Sequence, residues 1–248
     1  YGGSLENRLR FLEEVIHSIR ATVEEQFIVG LRLSLDEKDE EGLLQSETLR
    51  ACKHLDQNGL LDYASIAAGT MRTPSGSVHV VPPMRIETGY LGPDAKALKA
   101  QFSKPVLMAG RINQPHVAEA LLQEGAVDMC GMTRASIAEP DMPRKALKGE
   151  VDAICACIAC NQACIGHLQT GSPISCIQTP STGREELFAS LEESQKKKKV
   201  LVVGGGPAGL KAAITADKRG HVVQLYERSH LLGGQVRLAE KLPGRSEF

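Results

Sequence analysis

The first half of the sequence alternates helix-type and strand-type hydrophobic patterns, and this alternation constrains the fold more than any other feature. Ser4 can cap the first helix, because apolar residues recur after it at helical spacing. The predicted helices are 5–22, 47–57, 95–102 and 115–123, and the predicted strands are 27–33, 60–66, 106–109 and 127–131. Continuous apolar strands joined by helices predict a parallel sheet, either doubly wound or part of a (β/α)8 barrel.

The residues that follow the last two strands favour the barrel. These strands end in Gly110-Arg111 and in Gly131-Met-Thr-Arg134. Loops after strands 7 and 8 are where barrels commonly hold a cofactor phosphate, which suits an arginine fork. The alternative is that both arginines form surface salt bridges. Arg32, between Leu31 and Leu33, is expected to be buried and to need an electron-rich partner, either a cofactor carbonyl or the carboxylate of a structural ion pair.

Four cysteines follow the last strand at a spacing typical of an iron–sulfur site. Cys157, Cys160, Cys164 and Cys176 form a C-x2-C-x3-C-x11-C set inside residues 153–183, which contain no Asp, Glu, Lys or Arg. Four thiolates converging from a loop can hold a cluster, and structural zinc is the main alternative. A disulfide framework is disfavoured in a chain of this length without a secretory signal.

The remaining three cysteines are expected to play other parts. Cys155 is only two positions from Cys157, so it is predicted to be a neighbour of the site rather than a ligand. Cys52 and Cys130 stand alone in apolar segments, and we predict that they simply pack in the core.

A glycine-rich turn near the end of the chain lies between a predicted strand, 200–203, and a predicted helix, 210–218. Gly204, Gly206 and Gly209 fit the G-x-G-x-x-G pattern, and Glu227 closes the second strand, 222–226, about 20 residues further on. This context predicts a dinucleotide site, with the pyrophosphate at the helix N-terminus and a ribose hydroxyl on the carboxylate. The alternative is a turn without a ligand.

Charge and composition exclude several classes of function. The formal net charge is -1 and Trp is absent, so we expect no nucleic-acid partner. No apolar run approaches the 18 residues or more of a membrane span, and we therefore expect a soluble, cytoplasmic protein without a membrane partner.

Five segments of the chain carry a further signal: YGGSLENR at 1–8, AGRI at 109–112, GMTRA at 131–135, CIACNQAC at 157–164 and GGGPAG at 204–209. Together they resemble the multidomain branch of the old yellow enzyme family, which includes 2,4-dienoyl-CoA reductase and the trimethylamine and histamine dehydrogenases. The resemblance covers essentially the whole chain in the family's order of motifs.

The resemblance implies the C-terminal half of a TIM (β/α)8 barrel, an iron–sulfur loop and the start of a Rossmann-like domain that binds FAD and NAD(P). The expected boundaries are 1–150 for the barrel, 151–195 for the cluster segment and linker, and 196–248 for the nucleotide domain. The chain is thus expected to be an internal piece of a longer protein. Half a barrel would leave two unpaired sheet edges, so we expect it to be unstable alone.

The resemblance also implies three cofactors and the residues that hold them. Arg32 would contact the pyrimidine edge of FMN, and Gly110, Arg111 and Arg134 would hold its phosphate. The four cysteines would ligate a [4Fe-4S] cluster. Gly204, Gly206, Gly209 and Glu227 would bind the adenosine half of FAD, or ADP in its place.

The implied activity is NAD(P)H-dependent reduction of an activated C=C bond of a small molecule, with electrons passing from FAD through the cluster to FMN. The three residues between Cys160 and Cys164 resemble the dienoyl-CoA reductases. The alternatives are an amine dehydrogenase that delivers electrons to an external carrier, and a non-catalytic electron-transfer module. A homo-oligomer is compatible with each.

No catalytic residue is predicted. The loop expected at 69–90 carries His79, Tyr90 and the pair Pro82-Pro83, but it does not match the family's histidine motif. We interpret His79 as an ordinary loop histidine, with a catalytic acid as the alternative.

Overall fold

The computed structural model describes residues 1–188 and 191–247, which form two compact units, one over residues 1–159 and one from Cys160 onward. Each unit is built around a parallel sheet. Among the helices that the structure describes, none combines the length and apolar character needed to cross a bilayer.

The first unit consists of four strand–helix repeats preceded by a helix. Its strands are β1 (Gly30–Ser34), β2 (Tyr63–Ala67), β3 (Val106–Met108) and β4 (Met129–Cys130). Its helices are α1 (Leu5–Thr22), α2 (Gln45–Gln57), α3 (Pro74–Val80), α4 (Gly92–Lys99), α5 (Pro115–Gln123), α6 (Thr133–Ala138) and α7 (Met142–Leu147). The strands pair in the order β1-β2-β3-β4, and every pair is parallel.

One face of this sheet is closed by the helices. Ala64, Ile66, Val106 and Met108 alternate along β2 and β3, and all four are fully buried. They join the core of the unit with residues of the flanking helices such as Cys52. The parallel sheet and its helical layer follow from the predicted alternation of apolar segments.

The opposite face of the sheet is open, and it corrects the expectation that Arg32 is buried. Because side chains alternate along a strand, Arg32 points away from Leu31 and Leu33 and is exposed. It pairs in register with Ser65, whose Oγ accepts a 3.1 Å hydrogen bond from the guanidinium. In the part of the chain that the structure describes, no carboxylate lies within ion-pair distance of Arg32.

Helix boundaries agree with the predicted ones more closely than strand boundaries do. The Oγ of Ser4 accepts a hydrogen bond from the Asn7 N–H and caps α1, which ends at Thr22 as predicted. By contrast β1 begins only at Gly30, and Phe27 and Ile28 are exposed. Their run of apolar residues resembles a strand, but Val29 N–H bonds to the side chain of Asp62 instead of a strand backbone.

The same aspartate-to-backbone hydrogen bond occurs twice at the amino-terminal ends of the strands. The carboxylate of Asp62, just before β2, accepts a 2.7 Å hydrogen bond from Val29 N–H, just before β1. Two units later Asp128, just before β4, accepts a 2.8 Å bond from Val106 N–H at the start of β3. Asp62 also forms an ion pair with Arg20 of α1, the helix before β1. Asp128 forms an ion pair with Lys99 of α4, the helix before β3.

The segment after β2 is not the continuous loop that we predicted. Residues 74–80 form α3, which the Thr73 side chain caps and which Pro74 opens. The helix packs on Gly69, whose φ of +87° places the following chain over the strand ends. Its short length and lack of a long apolar stripe made it hard to predict.

The second unit begins with the cysteine segment and ends with a strand–helix–strand unit. It contains a π-helical turn (Gln162–Gly166), then α8 (His167–Gln169), α9 (Glu185–Phe188), β5 (Lys199–Val203), α10 (Pro207–Lys218), β6 (Val222–Tyr226) and α11 (Val236–Ala239). Strands β5 and β6 are parallel. The sequence of residues 185–193 predicts a short helix, of which the structure describes α9; residues 189–190 lie outside the described part of the chain.

Candidate functional site

The two predicted arginine loops meet at one edge of the first sheet. Gly110-Arg111 directly follows β3, and Arg134 lies in the first turn of α6, just after β4. Gly131 N–H bonds to Met108 O at 2.7 Å, which sets the two strand ends side by side. Because the carboxyl ends of parallel strands share an edge, both arginines lie at the end of the sheet where such folds bind ligands.

Arg111 is held in an unusual backbone conformation. Its φ is +53°, which is uncommon for a residue with a side chain, and the residue is 6% exposed. Its guanidinium donates to Ile86 O, and Gly89 N–H donates to Arg111 O at 3.1 Å. Strained backbone conformations of this kind are concentrated at functional sites. Here the strained conformation directs the buried Arg111 into the loop that follows β3.

Arg134 contacts the same segment as Arg111. Its Nη1 donates a 2.8 Å hydrogen bond to Pro82 O, four residues before Ile86. The two guanidinium groups therefore both fix the segment that follows α3. A guanidinium carries five N–H donors, so it can bind a carbonyl and an anion together.

Gly110 is required by packing. A Cβ built on it would lie 2.8 Å from Leu91 Cδ1, and Leu91 is only 1% exposed. A side chain at this position would therefore force either the Leu91 side chain or the turn that carries Arg111 to move.

His79 and Tyr90 lie together beside this edge. Their ring centroids are 5.7 Å apart, and the Tyr90 hydroxyl donates to His79 O at 3.2 Å. Burial raises the pKa of Tyr90 to about 12, and burial also lowers the pKa of His79. Both side chains are therefore neutral at pH 7. His79 belongs to α3, and its role as an ordinary histidine or as an acid stays a prediction.

The first candidate ligand, Cys157, lies two residues before the end of the first unit. Ala159 N–H approaches its Sγ at 3.4 Å, and Ala159 adopts a φ of +52° although it is 3% exposed. Backbone N–H groups directed at sulfur are the contacts that tune iron–sulfur clusters.

The other three candidate ligands lie in the second unit, close enough for two of them to shift the pKa of the third. Burial raises the pKa of the Cys160 thiol, the Gln162 N–H lowers it, and the nearby Cys164 and Cys176 raise it. A 2.8 Å hydrogen bond from Ser175 N–H to Ala163 O joins the segment before Cys176 to the turn that contains Cys164. Thiols with N–H groups directed at sulfur are the donor chemistry that an iron–sulfur cluster uses.

Cys52 and Cys130 pack as predicted, while the metal and its ligand set, including the exclusion of Cys155, stay predictions. Cys52 is fully buried, which raises its pKa to about 12, and Cys130 packs against the core. Over residues 1–188 and 191–247, no three or more His, Cys, Asp or Glu side chains are grouped closely enough to hold a metal ion.

The glycine-rich turn lies between β5 and α10 as predicted. Gly204 has a φ of +108°, and its N–H donates to Tyr226 O at 2.7 Å. A Cβ on Gly209 would lie 1.9 Å from Gly204 O, so the strand and the helix can pack only over a glycine. A Cβ on Gly206 would meet nothing within 4 Å, so the N-terminus of α10 is open.

Glu227 lies beside the turn, at the end of β6. Its carboxylate accepts hydrogen bonds from Ser229 N–H at 2.8 Å and from Gly205 N–H at 2.7 Å, and these lower its pKa. An ionised carboxylate offers about four lone-pair sites, so these contacts orient Glu227 and leave it able to accept from a ribose hydroxyl.

Two glycines that the sequence reasoning missed also shape this turn. Gly233 N–H donates to Gly205 O at 2.8 Å, and a Cβ on Gly234 would lie 3.0 Å from Gly206 Cα. Both have positive φ, so the pair brings a second backbone segment over the glycine-rich turn. The adjacent glycines were the available sign of this approach.

A strand edge with two arginines and, further along the chain, a strand, a glycine turn and a helix are typical of proteins that bind phosphate-bearing cofactors. The chain belongs to the NADH:flavin oxidoreductase / NADH oxidase family, which matches residues 1–152. Residues 199–239 match the FAD dependent oxidoreductase family. The resemblance and the fold class inferred from sequence are confirmed: an α/β half-barrel followed by the start of an FAD-binding domain.

Similar proteins support this assignment along the whole chain. The NADH oxidase of Thermoanaerobacter brockii is 38% identical over 100% of this chain, which spans 38% of that protein. The N,N-dimethylglycine/sarcosine dehydrogenase of Chromohalobacter salexigens is also 38% identical over 100% of the chain, which spans 36% of it. The chain thus spans under two fifths of these relatives.

A solved structure extends the likeness to three dimensions. The complex of 2-naphthoyl-CoA reductase with 2-naphthoyl-CoA matches with a TM-score of 0.91 and 35% identity. The match covers 99% of this chain and 37% of that one.

Proposed function

We propose that this chain is part of a flavin- and iron–sulfur-dependent oxidoreductase that uses NAD(P)H to reduce an activated C=C bond of a small molecule. The observation that carries the proposal is the pairing, in one chain, of the Arg111–Arg134 strand edge with the open glycine turn at Gly206. We divide the chain functionally into a barrel part, 1–150, a cluster segment, 151–195, and a nucleotide part, 196–248.

The strand edge of the first unit would hold FMN. Arg111 and Arg134 would bind its phosphate through charge-assisted hydrogen bonds, while Gly110 keeps the turn close to it. Arg32 lies on the open face of the same sheet, where its guanidinium would reach the pyrimidine edge of the flavin. The position of Arg32 on the face that the helices leave uncovered supports this role.

The cysteines and the glycine turn would hold the other two groups. Cys157, Cys160, Cys164 and Cys176 would ligate a [4Fe-4S] cluster, helped by the N–H groups directed at Cys157 and Cys160. Gly204, Gly206 and Gly209 would admit the pyrophosphate of FAD or ADP to the start of α10, and Glu227 would bind its ribose. When bound, these cofactors would supply hydride uptake, single-electron transfer and hydride donation.

The residues of this chain would contribute binding and electrostatics. The positive charge of Arg32 would favour negative charge on the pyrimidine edge of a bound flavin. His79 and Tyr90, neutral at pH 7, would add no charge near the strand edge.

Oxidation of an amine is the second candidate. It is supported by the dimethylglycine/sarcosine dehydrogenase, which is as similar to the chain as the NADH oxidase is. In that case electrons would leave to an external carrier. The C-x3-C spacing of Cys160 and Cys164 favours the reductase instead. A non-catalytic electron-transfer module would bind no FMN and could carry out neither reaction.

Stopped-flow absorbance of the whole protein under anaerobic conditions separates these functions. We expect NADH or NADPH to bleach the flavin and cinnamate-type enoates to restore its colour. Bleaching by methylated amines without any response to NADH or NADPH would instead establish the amine dehydrogenase. Protein without flavin would leave only the electron-transfer module.

A further inference from the structure

The loop that carries Arg111 also holds the backbone of the first candidate cluster ligand. Asn113, two residues after Arg111, is 8% exposed. Its Nδ2 donates a 2.8 Å hydrogen bond to Cys157 O. The two residues are 44 positions apart in sequence, and both belong to the first unit.

A half-buried ion pair holds the chain just before this point. Glu139 pairs with Lys145, and their side chains are 12% and 23% exposed. Glu139 accepts a 3.2 Å hydrogen bond from Cys155 N–H, and Lys145 Nζ donates a 2.7 Å bond to Ala153 O. The backbone from Ala153 to Cys157 is thus fastened at three places by side chains of the first unit.

The direction of the Cys157 side chain is fixed as well. The left-handed conformation of Ala159 turns its N–H toward Cys157 Sγ. Asn113 therefore holds the carbonyl oxygen of Cys157, and Ala159 N–H holds its sulfur. The backbone hydrogen bonds of a loop would be satisfied by the first of these contacts alone. Groups that orient a metal ligand in this way usually affect the affinity for the metal almost as much as the ligand itself does.

We propose that Asn113 is a positioning residue for the cluster, which fixes Cys157 against the loop that binds the FMN phosphate, with the Glu139–Lys145 pair supporting the preceding backbone. The inference rests on the proposed function, since it requires the cluster and FMN. It predicts that the loss of one amide in the Arg111 loop disturbs a metal site that the amide does not ligate.

Replacement of the amide in the whole protein tests this proposal. Asn113→Leu keeps the branching at Cγ and the number of non-hydrogen side-chain atoms, and it removes the donor. We expect iron release to a chelator to become roughly tenfold faster. We also expect a shifted electron paramagnetic resonance spectrum of the reduced cluster, at unchanged FMN content. Gln123→Leu is the matched control, because its amide is exposed on α5 and donates to Glu119 of the same helix.

The outcomes distinguish the inference from the proposed function. Iron release and a resonance spectrum like those of the wild type would overturn the inference alone. Wild-type protein without iron would overturn the proposed function and, with it, the inference. If Asn113→Leu does not fold, Lys145→Met provides the test. Iron release from Lys145→Met that is faster than from Gln123→Leu supports the proposal, and equal rates in the two variants overturn it.

Discussion

The amide of Asn113 donates a hydrogen bond to the backbone oxygen of Cys157, across 2.8 Å. This bond connects two places that the sequence separates widely, the loop after β3 and the start of the cysteine segment. If the loop binds a phosphate and the cysteine binds iron, as we propose, a change at one site is transmitted to the other through a single side chain.

Replacement of Arg134 should weaken the binding of FMN and spare that of riboflavin. Arg134→Met removes a charge-assisted hydrogen bond to the phosphate, which corresponds to a loss of affinity of about 10- to 100-fold. Riboflavin has no phosphate, so its dissociation constant should change little. Quenching of flavin fluorescence on binding measures both constants.

The control for this change is Arg144→Met, which removes a guanidinium that pairs with Asp141 on the surface at 2.6 Å. Binding of both flavins should stay as in the wild type. Equal weakening of FMN and riboflavin by Arg134→Met would show that Arg134 only supports the segment at Pro82.

Serine substitutions should separate ligands from neighbours among the cysteines. Cys160→Ser replaces a thiolate ligand by a poor one, so we expect the iron content of the purified protein to fall to a small fraction of the wild-type value. Cys155→Ser should retain the iron, since Cys155 lies only two positions from Cys157 and would strain to bind the same cluster. Equal loss of iron in the two variants would contradict the assigned ligand set.

Two glycines of the nucleotide turn should fail in different ways. Gly206→Ala places its methyl group in open space, so the thermal midpoint should not change. The methyl group would lie where a pyrophosphate must approach, and we expect ADP binding to weaken roughly tenfold or more, as for one lost charge-assisted bond. Gly209→Ala brings a Cβ to 1.9 Å from Gly204 O and should lower the midpoint itself.

Isothermal titration with ADP and differential scanning calorimetry measure the two effects. ADP binding by Gly206→Ala as tight as that of the wild type would contradict the approach of the pyrophosphate to Gly206, and a wild type that binds no ADP would show that the turn does not hold this ligand. An unchanged midpoint for Gly209→Ala would contradict the close packing of α10 on β5.

The carboxylate of Asp62 should make stability depend on acid pH. Hydrogen bonds from Val29 N–H and Arg20 lower its pKa. Its contribution is therefore complete above the unfolded pKa, about 3.9, and is lost as the pH falls through the folded pKa. Asp62→Asn should reduce the free energy of unfolding by about 1 kcal/mol at pH 7, a value discounted for the 42% exposure of the side chain.

Urea denaturation at pH 7 and pH 3 checks this prediction. The difference between Asp62→Asn and the wild type should shrink at pH 3, and a difference that does not depend on pH would contradict it. Asp141→Asn is the control, because its exposed pair with Arg144 should contribute within about 0.5 kcal/mol.

Features with a local cause could be predicted from the sequence. The cap of α1 at Ser4, the order of strands and helices, and the turn at Gly204 each follow from residues within one or two turns of chain. The arginines at the strand ends could also be placed, because parallel strands bring their carboxyl ends to one edge.

Features that depend on distant residues could not be predicted in this way. The exposure of Arg32 depends on which face of the sheet the helices cover, and not on its apolar neighbours in sequence. The contact of Asn113 with Cys157 joins residues without any shared pattern. The helix α3 was missed because seven residues carry too little periodicity.

The most direct test of the account is chemical analysis of iron, acid-labile sulfide and zinc in the anaerobically purified protein. Four cysteine ligands around a [4Fe-4S] cluster predict about four irons and four sulfides per chain. Stoichiometric zinc without labile sulfide would contradict the cluster and the electron path between the two flavin sites.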